Sequence, residues 1–376
     1  MPNSTIEEKL EILGELSKFD RVGFNQDLNK YFKYSHFIYK AVGFKGKTCN
    51  LFKVLQTNLC KYNCFYCANR LYRNTKRFVF NPKELMSVFL YFYKKRLVDG
   101  LFLSSGIYPN ENLSQERMYI TLKLIRESGF SGYIHSVILP GTDINLINKI
   151  GLLSDRLSLN LETINQKYLS LISPNKDFEK KLLFGLKKIY DFCREKEFKV
   201  SLTTQLVVGA AEERDKEVLL FSKGLYEKFN LDRVYYSGFM PIKDTPFENK
   251  NPCSLKRELR LYQADFLMRY YGFKPEEFIY NESGNLFEDI DPKLLWALKN
   301  RDFFPVEINT AEREKLLRVP GIGLTSTNRI INLRRKTNLK FEDLKKIGVV
   351  VKRAKNFITI GGKSYIEENF FKRFLI

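Results

Sequence analysis

Long apolar runs are missing from this 376-residue chain: no stretch of 18 or more apolar residues occurs, so no membrane-spanning helix is expected. The opening residues, Met1-Pro2-Asn3-Ser4-Thr5 followed by Glu7 and Glu8, lack the basic and apolar regions of a signal peptide, which predicts a cytoplasmic protein. Histidine is scarce, with only His36 and His135, so a metal site built on imidazole is not expected. Acidic residues are short as well, 43 against 63 Lys and Arg, for a net charge of +20. Six cysteines in a cytoplasmic chain do not read as three disulfides. What is present is 44% hydrophobic and 28% charged, a globular composition long enough for a barrel-sized domain with an appendage.

The surplus of positive charge suits a polyanionic partner, since phosphates reward clustered Lys and Arg through counterion release. A compositional bias toward Lys, Asn, Ile, Phe and Tyr would give the same total. Distribution favours the partner: residues 301–376 hold 17 basic and 8 acidic residues, net +9.

Residues 1–47 read as a helical, loop-rich lead-in, with Ile6, Leu10, Leu13 and Leu16 at helical spacing. Over 48–300, apolar β-branched runs at 51–55, 100–104, 133–139, 156–161, 200–208 and 233–239 alternate with amphipathic runs at 82–97, 114–128, 175–192, 215–229 and 254–271. Such alternation predicts an α/β fold, a partial (β/α)6 TIM-like barrel with its chemistry at the carboxyl ends of the strands; pattern alone leaves a doubly wound sheet open. Residues 301–376 predict a small all-helical domain of two hairpins. Asn309 is expected to cap its first helix, with Glu312 as the reciprocal partner. The first turn is Pro320-Gly321-Ile322-Gly323; a weaker copy, Gly348-Val349-Val350, follows.

Three cysteines fall within eight residues, in Thr57-Asn58-Leu59-Cys60-Lys61-Tyr62-Asn63-Cys64-Phe65-Tyr66-Cys67-Ala68-Asn69-Arg70. Thiolates at i, i+4 and i+7 in one loop can wrap a single iron–sulfur cluster and leave one iron open, whereas zinc would want a fourth Cys or His nearby. Cys49, Cys193 and Cys253 are isolated and read as core or surface thiols, with Cys49 and Cys253 the candidates for a hydrogen-atom donor.

This motif, with an aromatic just before the last cysteine, resembles the signature of the radical S-adenosylmethionine (radical SAM) superfamily. The resemblance implies that Cys60, Cys64 and Cys67 hold a [4Fe–4S] cluster whose open iron chelates S-adenosylmethionine, and that Tyr66 lies against the adenine. Reduction then yields a 5′-deoxyadenosyl radical that abstracts hydrogen from a substrate. It further implies that Ser105 and Gly106 after the second strand, Asn160 and Glu162 on the fourth, and Gln205 and Gly209 on the fifth contact the cofactor. Tyr235, Tyr236 and Met240, near Asp244, are expected to line the substrate pocket, aromatic core packing being the alternative for the tyrosines.

The turn Leu317-Arg318-Val319-Pro320-Gly321-Ile322-Gly323 resembles the hairpin of helix-hairpin-helix modules, in which amides at the start of the second helix hold a phosphate. On that resemblance Arg318, Gly321, Gly323, Thr325 and Arg329 bind nucleic acid, with Thr327 standing where such modules have Ala. Together the parts resemble the radical SAM proteins associated with DNA modification or repair. The resemblance implies hydrogen abstraction from a nucleotide in DNA, an electron donor such as ferredoxin or flavodoxin, and a DNA glycosylase as a further partner. The same chemistry on tRNA is the alternative, since a phosphate-binding hairpin does not distinguish DNA from RNA; a non-catalytic DNA-binding adaptor or redox sensor is the other.

Overall fold

Each apolar β-branched run forms a strand within three residues of its expected bounds. The computed structural model describes residues 5–19, 37–42, 48–195, 200–367 and 369–371; the rest of the predicted lead-in, including His36, lies outside the described residues. A seven-stranded sheet runs in chain order: β1 (Ile38–Val42), β2 (Thr48–Leu55), β3 (Gly100–Ser104), β4 (Tyr133–Val137), β5 (Arg156–Ser158), β6 (Ser201–Val208) and β7 (Arg233–Gly238). β1 is antiparallel to β2, and every later pair is parallel. Strictly sequential order means that every crossover steps the same way, as in a barrel, whereas a doubly wound sheet reverses at its switch point. Among the described residues nothing pairs β7 with β1, so the sheet is a half-barrel. The expected α/β partial barrel is therefore the fold, with the unforeseen β1 added at its edge.

Helices fill the crossovers where the sequence supplies caps. α1 (Ile6–Leu16) opens on a Thr5–Glu8 capping box, and α2 (Pro82–Lys94) on an Asn81–Glu84 box with proline in its first turn. α3 (Glu111–Glu127), α4 (Ile144–Gly151), α5 (Gln166–Ile172), α6 (Phe184–Glu195, entered through a π-helix at Phe178–Leu183) and α7 (Asp215–Phe229) follow. Phe52 of β2 packs on Phe37, Phe89 and Phe92, while its neighbour Lys53 points the other way, over Tyr39 and Phe102. Burial on both faces is what parallel strands require.

The chain divides into two compact units, Met1–Glu213 with Gly224–Ser254, and Arg214–Lys223 with Leu255–Ile376. The second contains α8 (Leu255–Tyr271), α9 (Pro292–Lys299), β8 (Val306–Glu307), α10 (Arg313–Arg318), α11 (Leu324–Arg334), α12 (Phe341–Lys346), α13 (Val351–Ala354), β9 (Ile358–Ile360) and β10 (Lys363–Ser364). Two helical hairpins are present, but the end of the chain is not all-helical. β8, β9 and β10 form a three-stranded sheet. Gly361 and Gly362, both at positive φ, make the tight turn between β9 and β10, and the Glu307 carboxylate accepts both of their N–H groups. The expected Asn309 cap is also corrected. α10 starts four residues later, at Arg313, because the Asn309 side chain bonds the Leu339 N–H and carbonyl at 2.9 and 3.2 Å.

The two turns of the hairpins pack against each other. Val350 donates its N–H to the Gly321 carbonyl at 2.9 Å, and a Cβ at Gly321 would stand 2.6 Å from the Val350 carbonyl oxygen. Glycine at 321 is thus required by packing and by its φ of +84°. Lys293 is buried beneath the same turn, donating to the Ile322 carbonyl at 2.7 Å; burial, with Arg353 and Arg318 nearby, lowers its pKa to about 7.

Candidate active site

The chain leaves β2 at the carboxyl edge of the sheet and closes a loop at its base before reaching a cysteine. Thr57 donates its hydroxyl to the Phe78 carbonyl at 2.7 Å. The Asn58 amide donates to the Lys76 carbonyl and accepts the Phe78 N–H, each at 2.8 Å. A loop shut in this way turns side chains from both arms toward one place.

Within it Cys60, Cys64 and Cys67 share one apolar cluster with Tyr62, Tyr66, Ile107 and Leu139. The Cys64 sulfur lies 3.0 Å from the Ser173 hydroxyl after α5, and the Cys67 sulfur accepts the Asn69 N–H at 3.3 Å. Burial pushes the Cys67 thiol far up, and Cys64 and Cys60 add to the rise. Burial also raises Cys64, against the opposing pull of Lys176 and Ser173.

The loop is anchored from two sides. Glu111, the first residue of α3, holds the Lys61 ammonium at 2.6 Å and the Tyr62 hydroxyl at 2.8 Å, and Lys181 approaches the same carboxylate at 3.4 Å. Burial acts to raise this carboxyl, but Lys61 and Tyr62 outweigh it and hold the pKa at about 2. Gly106, after β3, donates its N–H to the Thr57 carbonyl at 2.7 Å, and a Cβ there would lie 2.1 Å from the carbonyl oxygen of Leu59, the residue before Cys60. Only glycine leaves that carbonyl in place. Ser105 beside it turns its hydroxyl onto the Gly106 carbonyl at 2.7 Å.

Glu162 brings a buried charge to the site. β5 stops at Ser158, and Glu162 adopts φ +66° while pairing with Leu206 as an isolated bridge, so it does not simply alternate with Asn160 along a strand. A side-chain residue in the left-handed region persists only where its surroundings over-determine it. Here they do: the carboxylate takes the Lys176 ammonium at 2.9 Å and accepts the Tyr66 hydroxyl. Burial works to lower the Lys176 pKa, and Cys64 and Glu162 outweigh it and raise it. Lys176 carried no signal in the sequence beyond its charge.

Asn160 is half-buried after β5. Gln205 receives the Glu162 N–H on its backbone carbonyl at 3.0 Å and gives its side-chain amide to the Phe19 carbonyl at 3.1 Å. Gly209 follows β6 at φ +85°, and the buried Glu213 carboxylate accepts the N–H groups of Gly209 and Ala211. Glu213 was missed by the sequence reading, although its spacing from Gly209 marks a carboxylate closing its own turn. Tyr235 and Tyr236 are buried, whereas Met240 and Asp244 are exposed. Cys49 lies at the opposite end of β2 from the cysteine loop, in a cluster with Leu51 and Phe102, and burial, then Asp99, pushes it up to about 11. Burial and Asp232 likewise push Cys193 up to about 11, and Cys253 is buried, donating its N–H to the Phe239 carbonyl at 2.8 Å.

In the second unit, Arg318 does not face outward. Its guanidinium bonds Glu277 and the Gly272 carbonyl and stands 3.8 Å over the Phe273 ring. Gly323 caps α11, whose first amide, that of Leu324, is taken by the Tyr271 hydroxyl. Thr325 and Arg329 are exposed, Arg329 reaching the Ile347 carbonyl at 3.2 Å. Thr327 is buried, and its hydroxyl oxygen has no partner.

Three thiols in one apolar cluster suit a polynuclear iron–sulfur group, in which each cysteine binds a different iron. Among the described residues no three His, Cys, Asp or Glu side chains converge as they would on a single ion. The buried Asn63 and Asn69 side-chain oxygens and the Arg70 Nε have no hydrogen-bond partner, so unmet polar capacity gathers beside the cysteines. The residues fit such a cluster.

Residues 54–220 match the model of the Radical SAM superfamily. Enzymes of that family use a [4Fe–4S] cluster and S-adenosylmethionine, the two cofactors expected from the cysteine loop, and need an electron donor. Over 114 residues the chain is 30% identical to the uncharacterized protein MJ0785 of Methanocaldococcus jannaschii, a stretch covering 30% of this chain and 27% of that protein. The chain is also similar to HydG, the FeFe-hydrogenase maturase of Carboxydothermus hydrogenoformans, at 15% identity and a TM-score of 0.47, over 57% of this chain and 50% of HydG. Methylornithine synthase (PylB) gives 15% identity and 0.47 over 55% and 59%. OxsB, a cobalamin-dependent S-adenosylmethionine radical enzyme, gives 11% and 0.36 over 79% and 50%. The chain thus spans about half the length of these solved structures. Among the described residues no helix is long and apolar enough to cross a membrane.

Proposed function

We propose that this chain is a radical SAM enzyme acting on nucleic acid, with DNA ahead of RNA as the polymer. The observation that carries the enzyme reading is the apolar cluster uniting Cys60, Cys64 and Cys67 at the carboxyl edge of a parallel half-barrel. These three residues would hold the [4Fe–4S] cluster. Tyr66, Gly106, Glu162, Gln205 and Gly209 lie on the same edge or are bonded to residues there, and with Ser105 and Asn160 they would shape the S-adenosylmethionine site. When bound and reduced, the pair supplies one-electron cleavage of the cofactor and hydrogen abstraction from the substrate. The chain's own part is to orient and to exclude water: Glu111 pins the loop, Ile107 and Leu139 keep it dry, and Lys176 sets positive charge beside thiolates. Electrons would come from a ferredoxin or flavodoxin, and a DNA glycosylase acting on the same site would be a partner.

Charge supports the polymer. Residues 301–376 carry net +9, and Arg329, Lys345 and Lys346 are all exposed around the turn at Ile347 and Gly348, next to the first turn of α11. Because Arg318 is committed to Glu277, these three are the residues to test. The triple change Arg329→Gln, Lys345→Gln, Lys346→Gln is expected to weaken binding to a DNA duplex uniformly across sequences. It should also flatten the slope of log K against log salt by about one unit for each phosphate left without its cation. An unchanged slope in a folded variant removes this turn from the reading.

A further inference from the structure

Arg77 has no place in the cysteine motif, yet its guanidinium holds both ends of that loop. Nη1 donates to the carbonyls of Asn58 and Asn69 at 2.6 and 3.0 Å. Nη2 donates to the carbonyls of Arg70 and Arg73 at 2.5 and 3.1 Å. Asn58 precedes Cys60 by two residues and Asn69 follows Cys67 by two, so one planar group ties the two ends of the cysteine loop together. A fork of fixed N–H donors can do this; an ammonium cannot span four carbonyls in the same plane. The guanidinium is also within electrostatic reach of Cys60 and Cys67.

We propose that Arg77 is a positioning residue that clamps the cysteine loop in its ligating shape and keeps a fixed positive charge beside the cluster. The charge half rests on the reading that Cys60, Cys64 and Cys67 hold a [4Fe–4S] cluster; the clamp half is a property of the chain itself. A [4Fe–4S] cluster held by these cysteines would gain one negative charge on taking an electron from a reduced ferredoxin or flavodoxin. A nearby cation favours that state and so raises the midpoint potential.

The test compares full-length wild type with Arg77→Met and Arg77→Lys, each checked for a cooperative thermal transition. Hydrogen–deuterium exchange of the amides between 58 and 73 is read first, without added iron. Exchange at least tenfold faster than wild type is expected in Arg77→Met, with Arg77→Lys also faster because it keeps the charge but not the fork. Unchanged exchange in either folded variant overturns the clamp. After anaerobic reconstitution, the cluster midpoint potential should shift downward in Arg77→Met and stay close to wild type in Arg77→Lys. A midpoint that does not move in Arg77→Met, or that moves equally in both, overturns the charge role. If wild type itself takes up no cluster, the cofactor reading and the charge role fall together, and the exchange result still decides the clamp. Should Arg77→Met fail to fold, Arg77→Lys carries the exchange test and Arg77→Gln the potential.

Discussion

Cys64→Ala protein, reconstituted anaerobically with iron and sulfide, is expected to hold no stable four-iron cluster and to lose at least about 100-fold in S-adenosylmethionine cleavage. That figure is a floor, since changing residues that merely orient ligands costs 10–100-fold. Cys64 is a buried residue, packed against Ile107 and Leu139 and bonded to Ser173. Alanine leaves two cysteines to hold four irons. The fold should survive, because Tyr62, Ile107 and Leu139 still close the apolar cluster and the loop remains pinned by Glu111 and Arg77. Iron and labile sulfide per chain, with the absorbance of the cluster, read the first loss; 5′-deoxyadenosine reads the second. Cys49→Ala is the matched control. Its thiol sits at the other end of β2, and full cluster content is expected.

Glu162→Gln is expected to destabilise the first unit by about 3–5 kcal/mol, because removing one partner of a buried ion pair leaves the other charge uncompensated. Both side chains are deeply buried, at 8% and 9% exposure for Lys176 and Glu162, so water cannot take over the role of the missing partner. Glutamine keeps the size and can still accept the Tyr66 hydroxyl, so the loss reports charge rather than packing. Thermal unfolding of the protein without cofactor should show a transition lower by roughly 6–20 °C, taking ~2–4 °C per kcal/mol for a unit of this size. The double change Glu162→Gln, Lys176→Met should recover much of the stability, since no stranded cation remains. Equal melting of wild type and Glu162→Gln would contradict the buried pair.

The barrel was readable because burial on both faces writes itself into composition: runs such as Leu-Phe-Lys-Val-Leu at 51–55 and Gly-Leu-Phe-Leu-Ser at 100–104 are apolar without helical spacing. β1 was not readable, since five residues of Ile-Tyr-Lys-Ala-Val fit either period and take their register from β2. The small sheet at the end of the chain escaped for the same reason, its strands being two or three residues long and defined by long-range pairing. Spacing made the cysteine loop legible. Its supports were not, because they share no pattern: Glu111 lies 50 residues from Lys61, Arg77 19 from Asn58, Lys176 14 from Glu162 and Glu213 only 4 from Gly209. Arg318 shows the converse, a partner the sequence does not reveal. Position beside a glycine turn suggested a phosphate contact, yet Glu277, 41 residues earlier, holds its charge.

Anaerobic formation of 5′-deoxyadenosine by the reduced, reconstituted chain, alone and with intact DNA, damaged DNA or tRNA, tests the central claim most directly. Cofactor cleavage is expected to depend on Cys60, Cys64 and Cys67 and to rise with DNA above the other additions. An intact, reducible cluster that never cleaves S-adenosylmethionine under any of these conditions would contradict it.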